Sequence, residues 1–191
     1  MKHLIIYAHP HEHSLNAYFK NTVAARLLQQ NHEVEIRDLY QLGFNPVLSL
    51  DDLAGQRQGV VAADVQQEQQ FITWADCITI IHPIWWTGLP AMMKGYIDRV
   101  FSYGFAYSYE QGVQRGLLPN KQAVIINSHG KSNAEYNAMG MDKAFSLTLD
   151  RGIYLYCGFE IKKHFFFDKA DRTTPEAIEE WTREINAVYE D

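Results

Sequence analysis

Basic residues never cluster in this sequence, and that absence is informative. Lys and Arg number 17 against 23 Asp and Glu, for a net charge of -6, so neither the electrostatic footprint of a nucleic-acid binder nor a membrane-surface patch is present. Cysteine is scarce: Cys77 and Cys157 each sit in an apolar segment and form no Cys-x-x-Cys pair. They read as small core residues in a reducing compartment, not as a disulfide or a zinc site. No apolar run is long enough to span a bilayer. The opening run to Ala8 is too short for a signal peptide and breaks into His and Glu, so a cytoplasmic protein is expected. No G-x-G-x-x-G follows the first apolar run and no G-x-x-x-x-G-K-[ST] occurs, which argues against a dinucleotide fingerprint and a P-loop. Repeats, low-complexity tracts and linkers are also missing, and 191 residues suit a single domain, 1–191.

What the chain does have is aromatic side chains, 13% of its residues, and an unusual stretch from Ile81 to Pro90. There an apolar run ends at Pro83, Trp85 and Trp86 follow in what reads as a loop, and Pro90 opens a new helix. Loops lie on the surface, so a Trp pair in one must be covered by a ligand, a partner or the fold itself.

Around this stretch, strand-like and helix-like patterns alternate. Leu4 to Ala8, Cys77 to Ile81 and Ala123 to Ile126 are short continuous apolar runs, as strands buried on both faces should be, while Glu33 to Leu39 alternates and Phe159 to Phe167 forms a fifth strand. Helical spacing marks the segment after Ser14, Asp64 to Ala75, a stripe of Met93, Tyr96, Ile97, Val100 and Phe101, a segment carrying Phe145, Leu149, Ile153 and Tyr156 up to Gly158, and a last helix after Thr174-Pro175. Tyr40 to Ala63 reads as an irregular excursion with at most a turn of helix, Gly104 to Tyr109 as an aromatic loop and Asn127 to Asn137 as a polar loop. Alternation of this kind predicts an α/β fold: a doubly wound five-stranded parallel sheet of order 2-1-3-4-5 with helices on both faces.

In such sheets ligands bind beyond the carboxyl ends of the strands, at the switch point between strands 1 and 3. The loop His9 to Asn16 would offer Ser14, Asn16 and the free N–H groups of a helix start to a phosphate. Pro83 to Gly88 suits a flat heterocycle, and Ser128 to Ser132 flanks it. A phosphate loop, an aromatic loop and this sheet together imply a flavin nucleotide, which can take a hydride while nearby backbone N–H groups stabilise the reduced ring.

The same residues carry a family likeness. Ala8-His9 with Ser14-Leu15-Asn16, Asp38-Leu39-Tyr40 with Phe44-Asn45-Pro46, Asp64-Val65 with Glu68-Gln69, Ala75-Asp76, Pro83 to Pro90, Lys94-Gly95 with Asp98 to Phe101, Phe105 to Tyr109, and Tyr156 to Phe159 resemble, in order and spacing, the NAD(P)H:quinone oxidoreductases of the DT-diaphorase type and their small bacterial relatives, among them general stress flavoproteins and ancillary oxidoreductases of potassium-efflux systems. The resemblance implies a homodimeric flavodoxin-like enzyme that uses NAD(P)H and bound FMN, with FAD as the alternative, to reduce a quinone-like acceptor. It implies that His9, Ser14, Leu15 and Asn16 hold the phosphate region, that Pro83, Ile84, Trp85, Trp86 and Thr87 hold the ring, and that Ser128, His129 and Gly130 meet its pyrimidine edge. Tyr136 matches a tyrosine that bonds the flavin and stabilises charge in hydride transfer. Trp86, Tyr107 and Tyr109 match aromatics of the acceptor pocket, the two tyrosines reaching across the dimer.

This chain departs from the family pattern at several points. Asp142 stands where the quinone reductases place a histidine after the tyrosine, and a carboxylate is a poor proton donor near neutral pH. His129 replaces one of the paired glycines expected after strand 4. The segment Gly55 to Ala63 is shorter than in FAD-binding members, and their C-terminal extension is lacking, which favours FMN. A regulatory flavoprotein seated on a membrane transport protein is the alternative role. A zinc hydrolase is a minor one, since Ala8-His9-Pro10 resembles the Ala-His-Pro-Asp-Asp-Glu loop of zinc deacetylases, but His11 and Glu12 break the ligand set. As plain structure, His11 and His13 read as solvated loop residues, His82 as a hydrogen-bonded core histidine, and Trp74, Met93, Tyr96 and Trp181 as packing residues.

Overall fold

The computed structural model describes residues 1–190. In chain order it contains β1 (Lys2–Tyr7), α1 (Leu15–Gln29), β2 (Glu33–Asp38), α2 (Leu50–Gln58), α3 (Ala63–Trp74), β3 (Cys77–Pro83) and α4 (Ala91–Val100). A hairpin of β4 (Tyr107–Glu110) and β5 (Val113–Gly116) follows, then β6 (Gln122–Ser128), α5 (Asn133–Ala138) and α6 (Met141–Phe145). A π-helical stretch, Ser146–Tyr154, leads into α7 (Leu155–Cys157), β7 (Glu160–Phe167) and α8 (Pro175–Val188). The main sheet has five strands in the order β2-β1-β3-β6-β7, parallel throughout. This is the expected 2-1-3-4-5 arrangement once the hairpin is set aside.

The apolar runs of the three inner strands are explained by the sheet's two faces. Leu4, Ile6, Ile78, Ile80, Ala123 and Ile125 point to one side, where α3 and α4 pack through Val65, Ile72, Met93 and Tyr96. Ile5, Tyr7, Ile81, Val124 and Ile126 point to the other, against Phe19, Val23 and Leu27 of α1 and Ile185 of α8. A strand covered on both faces needs apolar side chains in both registers, so its sequence cannot alternate. Cys77 and Cys157 are buried free thiols. Burial pushes the Cys77 thiol up to about 11 and the Cys157 thiol up to about 12, which keeps both unreactive. Among the described residues no helix is long and apolar enough to cross a membrane.

Five expectations need correcting. The excursion from Tyr40 to Ala63 contains α2, nine residues long and closed at its start by a capping box in which Ser49 and Asp52 satisfy each other's backbone N–H. Its surface is so polar that periodicity could not reveal it. The aromatic loop from Gly104 to Tyr109 runs into the β4–β5 hairpin, whose turn uses positive φ at Gln111 and Gly112. The polar loop after strand 4 holds the short α5, again started by a capping box, Ser132 with Glu135. The helix read around Leu149 is π-helical over most of its length. Pro90 is the residue preceding α4, not a member of its first turn.

The excursion is held to the sheet by Arg99 of α4, almost fully buried. Its guanidinium bonds Asp52, Asp64 and the Asn45 carbonyl. Burial pushes the Asp52 carboxyl up, but its bonds from Arg99 and Ser49 outweigh this and hold it below the usual range. Alongside, the chain at Pro46 crosses α4 so closely that a Cβ on Gly95 would collide with the Pro46 carbonyl oxygen and ring. Gly95→Ala is therefore expected to lower stability by about 1 to 3 kcal/mol, the usual cost of overpacking. Thermal unfolding of the variant beside the parent protein would measure it.

Candidate active site

At the carboxyl ends of β1, β3, β6 and β7, four loops enclose a cavity of about 500 Å³ lined by His9, Ser14, Leu15, Asn16, Pro83, Ile84, Trp85, Ser128, His129, Gly130, Ala170 and Asp171. Ten of these twelve are among the residues expected to hold a ligand, brought together by the strand order alone. Ala170 and Asp171 are additions. They sit on the loop after β7, which is tied to the β6 loop by bonds from Ala170 N to the His129 carbonyl and from Arg172 to the Gly130 carbonyl. The rule that ligands lie beyond the strand ends covers that loop too, but nothing in its composition singled it out.

Each wall is built locally. Ser14 caps α1 by accepting from the Ala17 N–H, and its hydroxyl lies 3.3 Å from the Tyr7 phenol. The first helical turn leaves N–H groups without carbonyl partners, and Leu15 and Asn16 present that turn to the cavity. Asn16 donates from Nδ2 to the Ser128 hydroxyl at 2.8 Å, joining the start of α1 to the end of β6. Its Oδ1 is buried and has no partner. Across the cavity, His129 donates from Nε2 to Asn133 at 3.1 Å, while its buried Nδ1 lacks a partner of good geometry. Burial lowers the pKa of both His9 and His129, so both imidazoles are neutral near neutral pH. Unfilled acceptors on two walls, beside a helix start, fit a ligand that brings hydroxyl or N–H donors together with an anionic group.

The histidines of the first loop form successive turns instead of a ligand cluster: the His11 N–H bonds His9 Nδ1 and the His13 N–H bonds His11 Nδ1, at 3.0 and 3.1 Å. Among the described residues no group of His, Cys, Asp and Glu converges as a metal site.

The aromatic loop is a tight turn. Trp85 and Gly88 exchange backbone hydrogen bonds at 3.1 Å, and Trp86 and Thr87 between them both have positive φ, 51° and 56°. Left-handed backbone is costly for residues with bulky or branched side chains, which makes this a strained turn. Its effect is to separate the two tryptophans. Trp85 lines the cavity with its ring 5.7 Å from that of His9, whereas Trp86 is 100% exposed and, like Thr87, stands outside the cavity wall of the single chain.

Tyr136 lies on α5 beside a second, smaller cavity of about 250 Å³, shared with His129, Asn133, Asn137, Asp142, Phe145 and Phe166. The Tyr136 ring is 4.7 Å from that of His129, so His129 is the wall between the two cavities. Asp142 does face the chamber of Tyr136. Tyr107 and Tyr109 line neither cavity. They sit near the hairpin, where the Tyr109 and Tyr156 hydroxyls are 2.9 Å apart and Tyr107 packs edge-on to Tyr156.

Comparison with known proteins agrees with this architecture. A family model described as a flavodoxin-like fold matches residues 1–188. An uncharacterized NAD(P)H oxidoreductase from Haemophilus influenzae is 44% identical over 164 residues, which span 84% of this chain and 80% of that protein. NAD(P)H dehydrogenase (quinone) 1 of Rattus norvegicus is 28% identical over 212 residues, spanning 98% of this chain and 77% of the relative. The solved structure of an NAD(P)H:quinone oxidoreductase from Methanothermobacter marburgensis superposes with a TM-score of 0.85 at 25% identity, over 98% of this chain and 96% of that one.

The strained turn yields a test of its own. Replacing Trp86 and Thr87 together by Asn and Gly, the pair that best accepts two left-handed residues, should raise stability by about 1 kcal/mol. The same double variant should weaken ligand binding at the cavity. Unfolding curves and a binding titration on the same sample would check both halves.

Proposed function

We propose, because this chain belongs to the family with the flavodoxin-like fold, that its cavity holds a flavin. The chain is an NAD(P)H oxidoreductase that passes two electrons to a quinone or similar aromatic acceptor. The observation that carries the flavin reading is the cavity at a helix start, whose lining residues Asn16 and His129 each keep a buried polar atom without a partner.

When bound, the flavin supplies a two-electron acceptor that takes a hydride from the nicotinamide and gives it up to the quinone. Ser14, Leu15 and Asn16 would hold its phosphate and ribityl part, with His9 close by. Pro83, Ile84 and Trp85 would wall the ring, and Ser128, His129 and Gly130 its polar edge. Trp86 and Thr87, raised out of the surface by the turn, are placed to cover the ring or its reaction partner. Tyr136, whose ring packs 4.7 Å from that of His129 on the far side of this wall, would support His129 at the ring's polar edge and help stabilise negative charge that develops during transfer. The compact segment from Tyr40 to Ala63, clamped by Arg99, supports FMN over FAD. Tyr107 and Tyr109, far from their own chain's cavity yet partly exposed, support a homodimer in which each subunit's hairpin completes the other's acceptor pocket.

Mass spectrometry of cofactor released from the purified protein should detect FMN, and NAD(P)H should reduce a quinone in steady-state assays. A colourless protein would sink the flavin reading. A flavin-bearing protein without quinone turnover would favour the regulatory role on a membrane transport protein. Tyr136→Phe should slow quinone-dependent NAD(P)H turnover by about ten- to a hundredfold with little change in flavin affinity; equal rates would remove Tyr136 from the mechanism.

A further inference from the structure

A buried polar chain runs beneath the ends of β3, β6 and β7, and none of it contacts the main cavity. Asn127, fully buried, precedes Ser128 of the cavity wall, and His82 precedes Pro83. The Asn127 Nδ2 donates to the His82 carbonyl oxygen on β3 at 3.0 Å and lies against the His82 ring, 3.3 Å from Nδ1 and 3.2 Å from Nε2. His82 itself donates from Nδ1 to the Pro83 carbonyl at 2.9 Å, leaving Nε2 free to accept. Burial lowers the His82 pKa to about 4, so this ring is neutral.

Because the His82 carbonyl can only accept, the amide nitrogen is turned to β3 and the Asn127 Oδ1 is the atom that faces His164 Nε2, at 2.8 Å. An amide oxygen can only accept, so Nε2 carries a proton. The other nitrogen, Nδ1, lies 2.6 Å from the Asp150 carboxylate on the π-helical stretch. A carboxylate is the weaker base of such a pair, so Nδ1 is protonated too. The network therefore requires His164 as an imidazolium. That ring also stacks on Phe166 at 4.0 Å, a contact favourable to a cation, and Phe166 lines the chamber of Tyr136.

We propose that His164, protonated and held by Asp150, is a positioning residue for the active site: it fixes Asn127 in the orientation that ties the cavity ends of β6 and β3 together, and it anchors Phe166 beside Tyr136. Only its consequence for cofactor binding rests on the flavin reading above. The groups facing His164 are Asp150 from the π-helical stretch, the neutral amide of Asn127 on β6 and, through that amide, neutral His82 on β3. Without the Nε2 donor, Asn127 Oδ1 is buried with no partner. If the amide turns to repair this, its oxygen confronts the His82 carbonyl, acceptor against acceptor, and the tie weakens either way. The neighbouring tie between the same strand ends, Ile84 N–H to the Ser128 carbonyl at 2.7 Å, then reports the change.

The test uses the whole chain without added flavin. Long-range proton–nitrogen NMR should find both His164 nitrogens protonated at neutral pH. His164→Leu, which removes the Nε2 donor, should lower the exchange protection of the Ile84 amide about tenfold and leave that of Val124 unchanged. His164→Gln, which keeps a donor for Asn127 Oδ1, should retain most of the protection, and FMN affinity should fall in the Leu variant in parallel with it. A singly protonated His164 at neutral pH, or Ile84 protection that is unchanged in the Leu variant, would overturn the proposal. A protein whose Ile84 protection follows His164 but which binds no FMN would uphold the positioning role and overturn the flavin reading instead.

Discussion

The cavity exists because two neighbouring strands, β3 and β6, stay in register to their last residues and are tied there. The ladder continues through Ile81 with Ile126 and His82 with Asn127 to Pro83 with Ser128. A proline at the end of a central strand gives up a donor, and the structure makes good that loss with the Ile84 N–H to Ser128 and the Asn127 side chain to His82. If these ends splayed, Pro83, Ile84, Ser128 and His129 would no longer face one space. The start of α1 joins the same frame through the Asn16–Ser128 bond.

A second frame holds the other side of the sheet. The buried Arg99 guanidinium gathers Asp52 and the Asn45 carbonyl of the excursion together with the half-exposed Asp64 of α3, and nearby Arg37 pairs with buried Glu68, which also accepts from the Tyr96 phenol. Removing one member of such a network leaves the others charged, buried and unpaired, which costs far more than the pair contributes when intact. The charges thus specify where the excursion lies. Two successive left-handed residues occur at the exposed Trp86–Thr87 turn, which leaves Trp85 on the cavity wall and Trp86 clear of it.

Much of this could be read from the residues. The buried strands announced themselves because a strand covered on both faces has nowhere to put a polar side chain. Ser14 announced the start of α1 because an N-cap needs its hydroxyl. What escaped had weaker local signals: α2 buries Asp52 alone among its residues, so its helix has no apolar stripe, although Ser49 and Asp52 carried a capping pattern. The α5 turn carried one as well, in Ser132 and Glu135. The β4–β5 hairpin hid inside an aromatic run whose alternation is only four residues long. The roles of Ala170 and Asp171 were invisible because they depend on how the loop after β7 folds back onto Gly130.

By itself the sequence determined the class of the fold, the end of the sheet at which the cavity opens and most of the residues lining it. Those follow from periodicity, from turn and cap chemistry and from the handedness of parallel crossovers, all of which act over short stretches of chain. Only the tertiary structure decided that Trp85 lines the cavity while Trp86 stands clear of it, that Tyr136 belongs to a chamber separated from the main cavity by His129, and that His164 is joined through Asn127 to His82. Those residues are far apart in sequence. Their relation depends on backbone dihedrals at a single turn and on hydrogen bonds between strands, which carry no periodic trace in the chain.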